Sequence, residues 1–231
     1  MKAKSRALNP ETSPYPKPVV RGRRTKAETI ARLEDSAVAL FGSSGYEGTS
    51  LRSIAAHAGL PLSAIDRHFG SKMALFDAVH RRIWKEIDSE RQALLRNPAA
   101  VDESGAPSLE AVLYAFIRPI AERATRPDDA SASIRLLREM MSTRLHTVSD
   151  SRRKPVKALV DHWVEAIMAT CPDLSRDRAV WVYSFVVAIL YCNQLVDGCL
   201  DDLMPANATR STDEVTGMLV AFCSRGIRGL T

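Results

Sequence analysis

Helical periodicity recurs along almost the whole chain after residue 24, and it restricts the possible folds more than any other feature. Apolar residues return three or four positions apart in one segment after another, and Pro- or Gly-containing breaks separate the segments. This spacing is typical of amphipathic helices that bury one face. No segment shows the period of two that a half-buried strand requires. The sequence therefore predicts an all-α fold of about nine helices, without an internal repeat.

Residues 25–96 contain the local signals for three short helices and a longer fourth one. Thr25 and Glu28 form a capping box at the start of the first helix, and the glycines of 42–45 end it. The second helix is expected from about Leu51 to Ala58, because Gly59 can adopt the left-handed conformation that stops a helix. The third lies within Gly59–Gly70, and the fourth follows the N-cap residue Ser71. Beyond them we expect helices near 108–125, 129–147, 152–170, 176–203 and 212–229.

The first 26 residues differ from the rest in charge. They hold eight bases and one acid, a net charge of +7, whereas the whole chain carries +5, so residues 27–231 carry −2. Residues 1–24 also contain four prolines and no apolar period, which predicts a disordered basic arm. Such an arm suits nucleic acid or an acidic surface, with Arg23 and Arg24 as candidate DNA contacts. A tail that only aids solubility is the alternative.

Composition and cysteine usage favour a soluble globular protein in a reducing compartment. Hydrophobic residues make up 45% and charged residues 26% of the chain, and its four cysteines form no CxxC pair. Residues 1–26 contain no apolar run, so we expect no signal peptide. The longest apolar stretch, Val180–Cys192, is too short to span a bilayer. The expected location is the bacterial cytoplasm, without membrane association.

The segment from Gly59 to Gly70, GLPLSAIDRHFG, has the character of an outward-facing helix. Ile65 and Phe69 lie four residues apart and would anchor it to its own domain. With the preceding helix and the Gly59 turn, it forms a helix-turn-helix pattern, whose second helix enters the major groove of DNA. The residues left on or beside the outward face are Leu62, Ser63, Asp66, Arg67 and His68.

The charge around this segment agrees with nucleic-acid binding. Residues 49–85 contain six bases and two acids, a net charge of +4. Ser71 and Lys72 place free backbone amides and an ammonium group at one helix start, which favours a bound phosphate.

Enzymatic and metal-binding alternatives find little support. Asp66 and His68 lie two residues apart on a helix, so their side chains point about 200° from each other and cannot act on one atom. The five histidines are scattered, and no phosphate loop or HExxH pattern is present. We expect no catalytic residues, no metal site and no cofactor.

The stretch TSLRSIAAHAGLPLSAIDRHFGSKMALFDAV resembles the DNA-binding domain of the tetracycline-repressor (TetR) family of transcriptional regulators. The resemblance covers residues 26–85 without an insertion, and the remainder fits only in the number and length of its helices. It implies a helix-turn-helix domain over 25–71 and a larger ligand-binding and dimerisation domain over 72–231. It also implies a homodimeric repressor of a near-palindromic DNA operator, located at the nucleoid when bound. By position, the residues at or near the DNA backbone are Thr49, Ser50, Arg52, His68 and Lys72, and those of the base-reading face are Leu62, Ser63, Asp66 and Arg67.

Two residues depart from the family pattern. Pro61 replaces the usual Ser or Thr N-cap, which removes a side-chain cap worth about 1 kcal/mol. Asp66 replaces the usual Tyr or Asn. Because a carboxylate near phosphates is repelled, Asp66 should either accept a hydrogen bond from a cytosine amino group or hold Arg67 in place, and the second is favoured.

The C-terminal part carries the dimerisation and ligand predictions. The helix over 176–203 is apolar on most faces, so it must be buried on two sides. One side can face its own domain and the other a partner subunit, and an internal core helix is the alternative. The resemblance implies that the last two helices of each subunit form a four-helix interface, with candidate residues Trp181, Phe185, Ile189, Cys192, Val196, Met218 and Phe222.

A regulator of this kind also implies a small-molecule inducer of unknown identity. Helices four to seven would line its pocket and would favour a largely apolar molecule with one polar group. The residues with suitable chemistry, each of which has a purely structural role as its alternative, are Tyr114, Phe116, Arg144, His146, His162 and Trp163. A DNA-binding regulator or architectural protein without a ligand is the alternative function.

Overall fold

The computed structural model describes residues 25–97, 106–125, 132–137, 150–193 and 211–231. These residues form α-helices and no β-sheet, which confirms the predicted all-α class. The helices are α1 (Lys26–Gly48), α2 (Leu51–His57), α3 (Leu62–His68), α4 (Lys72–Leu95), α5 (Leu109–Thr125), α6 (Asp150–Thr170), α7 (Arg176–Asn193) and α8 (Thr212–Arg228). Residues 132–137 are also helical. The predicted helices over 129–147 and 176–203 extend beyond the described residues.

Side-chain caps fix the helix starts where the sequence predicts them. The Glu28 amide donates to Thr25 Oγ1 at 3.2 Å, and the Thr25 amide donates to Glu28 Oε2 at 2.9 Å. Ser50 and Ser71 are the N-caps of α2 and α4. At the start of α3, Pro61 makes no side-chain cap, as expected from its lack of a hydroxyl.

The predicted end of α1 was wrong. The helix does not stop within 42–45 but bends at Gly45 and continues to Gly48. Gly45 has a φ of 72°, a left-handed conformation that glycine adopts without steric cost. The added turn brings Tyr46 against Phe41 and Phe76, with ring centroids 5.8 and 4.9 Å away. Burial of this aromatic group outweighs the local tendency of glycines to end the helix.

One continuous apolar core runs from the first helices into the C-terminal part. Leu33 of α1, Ile54 of α2, Ile65 of α3 and Phe76 of α4 are all fully buried in it. The predicted domain boundary at Ser71 falls at the N-cap of α4, whose first turns pack against α1. The helix α4 therefore belongs physically to both parts and connects them.

The C-terminal helices pack in pairs. α8 lies along α5, and ion pairs join the two helices near both ends of α8, Arg118 with Asp213 and Arg228 with Glu110. α7 packs on α6, where Arg176 contacts Asp161 at 2.6 Å. None of the described helices is both long enough and apolar enough to cross a membrane.

Candidate nucleic-acid interface and associated sites

The outward face of α3 is as the sequence predicts. Leu62 is 39% exposed, and Ser63, Asp66 and Arg67 are also exposed, whereas Ile65 is fully buried. His68 is half-buried at the edge of this face. The α3 face therefore presents an apolar group, a hydroxyl, a carboxylate and a guanidinium to solvent, side chains that can all contact base edges in a major groove.

The expected pairing of Asp66 with Arg67 is not found. No hydrogen bond or ion pair joins them among the described residues, although both side chains are exposed. Consecutive helical residues point about 100° apart, which disfavours a direct contact. Both charged groups are therefore accessible, and acceptance from a cytosine amino group is the interpretation left for Asp66.

The side chains at the start of α2 stabilise the domain itself. Thr49 is buried, and its hydroxyl is within hydrogen-bonding distance of Leu40 O (3.0 Å) and Gly45 O (2.7 Å), so it ties down the bend of α1. Ser50 Oγ accepts from the Ser53 amide at 3.0 Å. Arg52, one residue into α2, is exposed. Thr49 is thus turned toward the protein, whereas Ser50 and Arg52 lie at the surface.

Lys72 is held in place by an aromatic ring that the sequence analysis did not identify. Its Nζ lies 4.3 Å from the centroid of the Tyr46 ring. The neighbouring Ser71 Oγ accepts from the Ala74 amide at 3.1 Å, so α4 starts at a fixed point. The site combines an ammonium group, a helix N-terminus and an oriented side chain, a combination suited to phosphate. Tyr46 carries no periodic signal because it follows the bend at Gly45.

Part of the positive charge counted over 49–85 is neutralised within the fold. Arg82 of α4 pairs with two acids of α1, Glu34 at 3.2 Å and Asp35 at 2.8 Å. Burial raises the pKa of Glu34, and Arg82 acts in the opposite direction. Arg82 therefore joins α1 to α4, and the positive charge near α3 is carried mainly by other bases. Arg23 and Arg24 of the predicted arm lie outside the described residues.

Four large apolar side chains on α7 and α8 are exposed. The exposed fractions are 64% for Trp181, 54% for Phe185, 59% for Met218 and 69% for Phe222. We call these four residues the apolar face. Ile189 is only partly exposed, and the Cys192 side chain and Val196 lie outside the description. Aromatic groups this exposed are typical of a surface that another protein chain covers.

A small cavity lies between α5, α6 and α7. Its volume is about 10 Å³, which is roughly that of one water-sized sphere. Its lining, which we call the aromatic cavity, consists of Val112, Leu113, Phe116, Trp163, Ile167, Tyr183 and Val186.

The predicted ligand residues are divided by this structure. Phe116 and Trp163 line the cavity, whereas Tyr114 is 39% exposed and His162 lies at the surface, 2.7 Å from Gln92. Arg144 and His146 lie outside the described residues. No group of three or more potential metal ligands occurs in the part of the chain that the structure describes.

Sequence reasoning missed two residues of this region, Tyr183 and Arg91. Tyr183 lines the cavity, and Arg91 is fully buried behind it. A signal for Arg91 was present, because it continues the four-residue spacing of the buried residues Val79, Ile83 and Ile87. A base at a position of an apolar stripe predicts a buried charge with a specific role.

Comparisons with known proteins agree with this architecture. Residues 33–79 match the family model described as bacterial regulatory proteins of the tetR family, and residues 114–226 match the model described as the tetracyclin repressor-like C-terminal domain. A comparison with curated protein sequences finds no match.

Solved structures of low sequence identity share the fold. A TetR-like transcriptional regulator from Rhodococcus sp. RHA1 is 19% identical, with a TM-score of 0.59 over 90% of this chain and 100% of that one. NalD of Pseudomonas aeruginosa, the secondary repressor of the MexAB-OprM multidrug efflux pump, is 18% identical, with a TM-score of 0.58 over 87% and 98%. Since two models of one family together match most of the sequence, and the helices are arranged as in these regulators, the chain belongs to the TetR family of transcriptional regulators.

Proposed function

We propose that this chain is a homodimeric repressor that binds a near-palindromic operator in double-stranded DNA and is released from it by a small-molecule inducer. The observation that carries the proposal is the exposed face of α3, with Leu62, Ser63, Asp66 and Arg67 in solvent next to the Lys72 site. Base-reading groups beside a phosphate site are what specific DNA binding requires. The corresponding location is the cytoplasm, at the nucleoid in the DNA-bound state.

The apolar face supports the homodimer. Trp181 and Phe185 of α7 lie with ring centroids 5.8 Å apart, and α8 adds Met218 and Phe222. A second copy of the same face would cover these side chains with matching apolar surface. In such a dimer, two α3 helices about 34–36 Å apart would enter successive major grooves of a near-palindromic site.

Contacts between the C-terminal part and α1 provide a route from ligand to DNA. Arg135 Nε donates to Gly42 O at 2.9 Å, and Ala132 lies so close to Gly42 that a Cβ there would be 2.6 Å from Ala132 O. Residues 132–137 thus press directly on α1. A ligand that binds one arrangement of these helices more tightly shifts the spacing of the two α3 helices.

The second candidate is a DNA-binding regulator without a ligand. The small volume of the aromatic cavity, about 10 Å³, favours it over a pocket that already has the size of a metabolite. The two candidates differ in one measurement, the operator affinity with and without small molecules. An affinity that no compound changes would favour the second candidate.

Selection of bound sequences from random duplex DNA tests the proposal. Purified protein should enrich a near-palindromic site with two half-sites about one helical turn apart. On that site, Arg67→Ala should weaken binding by about 1–3 kcal/mol if Arg67 reads a base, whereas Lys72→Ala should weaken all sequences alike and flatten the salt dependence.

Arg96→Ala is the matched control for these variants. Arg96 is an exposed arginine at the far end of α4, roughly 36 Å along the helix from Lys72. It should leave both the enriched site and the affinity unchanged. Absence of any enriched sequence would contradict the proposed function.

A further inference from the structure

The aromatic cavity has walls of flat rings that are set at steep angles to one another. The Phe116 ring lies 4.9 Å from Trp163 at 70° and 5.6 Å from Tyr183 at 69°, measured between ring centroids and planes. Aliphatic side chains of Val112, Leu113, Ile167 and Val186 complete the lining. Such walls favour a small flat apolar group over a sugar or a nucleotide, which would need several polar partners.

The polar groups of the cavity wall are hydrogen-bond donors. Trp163 is 1% exposed, and its indole Nε1 is buried without a hydrogen-bond partner among the described residues. Tyr183 contributes a phenol, and the lining includes no acid. A buried donor without a partner costs about 1–3 kcal/mol, which a bound acceptor would recover.

A positive charge is buried directly behind this wall. Arg91 of α4 is 0% exposed, its Nε donates to Phe116 O at 3.0 Å, and its guanidinium carbon lies 3.8 Å from the centroid of the Phe116 ring and 5.6 Å from that of Trp163. Burial raises the pKa of the Tyr183 phenol, and the charge of Arg91 acts in the opposite direction. The field of Arg91 therefore reaches the cavity, where low polarity weakens screening.

We propose that the inducer is a small apolar carboxylic acid, whose flat body enters the aromatic cavity and whose carboxylate accepts from the Trp163 indole in the field of Arg91. The proposal rests on the proposed inducer-binding function and names its ligand class. Donors and a buried cation complement an anionic acceptor, and a neutral ligand would leave the charge uncompensated by any ligand group.

Binding of such an acid would also move helices. The cavity now holds little more than one water, so the ligand must displace the Phe116 ring or separate α6 from α7. Arg91 lies on α4, the same helix that begins at Lys72 beside the DNA-binding face. An attraction between the carboxylate and Arg91 therefore acts on the element that positions the DNA-binding domain, a link through which the ligand can release the operator.

The test uses the full chain with defined probes. Benzoate, phenylacetate and 1-naphthoate are compared with their primary amides, which keep the shape and lose the charge. Calorimetric titration gives the affinity, and fluorescence anisotropy of an operator duplex gives the release. At least one acid should bind about tenfold or more tightly than its amide, because a charge-assisted hydrogen bond contributes more than a neutral one. The same acid should lower operator affinity.

Variants assign the preference to the named groups. Trp163→Phe keeps the ring and removes the donor, and Arg91→Lys keeps the charge and loses the planar guanidinium. Each should reduce the acid-over-amide preference several-fold. Tyr114→Phe, a change on an exposed ring outside the cavity, should leave it unaltered. Should Arg91→Lys fail to fold, Trp163→Phe alone still decides the point.

Two results would overturn the proposal. One is equal affinity for acid and amide, or a preference that Trp163→Phe leaves unchanged. The other is no binding of any acid up to about 5 mM, an affinity too weak for a specific site, by protein that still binds its operator. Since operator binding is measured in the same samples, loss of the ligand inference is distinguished from failure of the DNA-binding function.

Discussion

At the scale of single residues, the contact between Lys72 and Tyr46 carries a specific prediction. The ammonium lies 4.3 Å from the ring centroid, and Phe41 and Phe76 pack against the same ring. Tyr46→Leu removes the aromatic face and should weaken operator binding by about 0.5–1 kcal/mol, since Lys72 then loses orientation. Tyr46→Phe keeps the face and should bind as the unchanged protein does. Anisotropy titrations at several salt concentrations measure both.

The double-mutant cycle separates orientation of Lys72 from general damage. In a Lys72→Ala background, Tyr46→Leu should have no further effect on DNA affinity, because the group that Tyr46 orients is gone. A loss of affinity as large as in the unchanged background would show that Tyr46 acts through the fold alone. Thermal unfolding of each variant shows how much of the aromatic packing is lost.

Glycines of the first helix give a prediction at the scale of elements. A Cβ at Gly42 would lie 2.6 Å from Ala132 O, a backbone atom that cannot move aside without its helix. Gly42→Ala should therefore separate residues 132–137 from α1 and lower the free energy of unfolding by about 1–3 kcal/mol. At Gly48 the nearest atom is Ser44 Cβ at 3.6 Å, an ordinary contact.

Gly48→Ala is consequently the matched control, on the same helix and with the same added methyl group. Alanine costs less backbone entropy than glycine, so this variant should be neutral or slightly more stable, by up to about 1 kcal/mol. Equilibrium unfolding in urea compares the two. Equal stability of the two variants would mean that α1 and residues 132–137 do not press on each other.

Helix starts and interior faces were predictable from sequence because their causes are local. The hydroxyls of Thr25, Ser50 and Ser71 cap amides three residues away, so short patterns suffice to place them. The outward residues of α3 follow from the spacing of its anchor, Ile65. What could not be predicted depends on distant partners. The turn of α1 beyond Gly45 exists because Tyr46 packs on α4.

The cavity shows the same limit more sharply. Phe116 and Trp163 were chosen for their chemistry and do line it, but chemistry alone also selected Tyr114 and His162, which lie at the surface. Their helical positions did not decide between the two faces until the neighbouring helices were in place. Arg91 could have been found by its place in the apolar stripe of α4, because a charge at such a position has to be buried.

At the scale of the whole molecule, the apolar face decides whether two DNA-binding domains act together. Phe222 is 69% exposed and lies on α8, beside which α7 presents Trp181. In the proposed homodimer Phe222→Glu would bury an unpaired carboxylate, which costs several kcal/mol and is enough to dissociate the dimer at micromolar concentration. Sedimentation velocity should therefore show monomers, and affinity for a two-half-site operator should fall by at least about a hundredfold.

Ala93→Glu supplies the control for added charge, because Ala93 is an exposed residue near the far end of α4. It should leave the dimer and the operator affinity intact. Binding of a single half-site should be weak but equal for both variants, since neither change touches α3. A Phe222→Glu protein that still sediments as a dimer would place the subunit interface elsewhere and leave the apolar face to a different partner. A monomer that still binds the full operator tightly would show that the two half-sites are read independently, which removes the spacing on which the proposed induction depends.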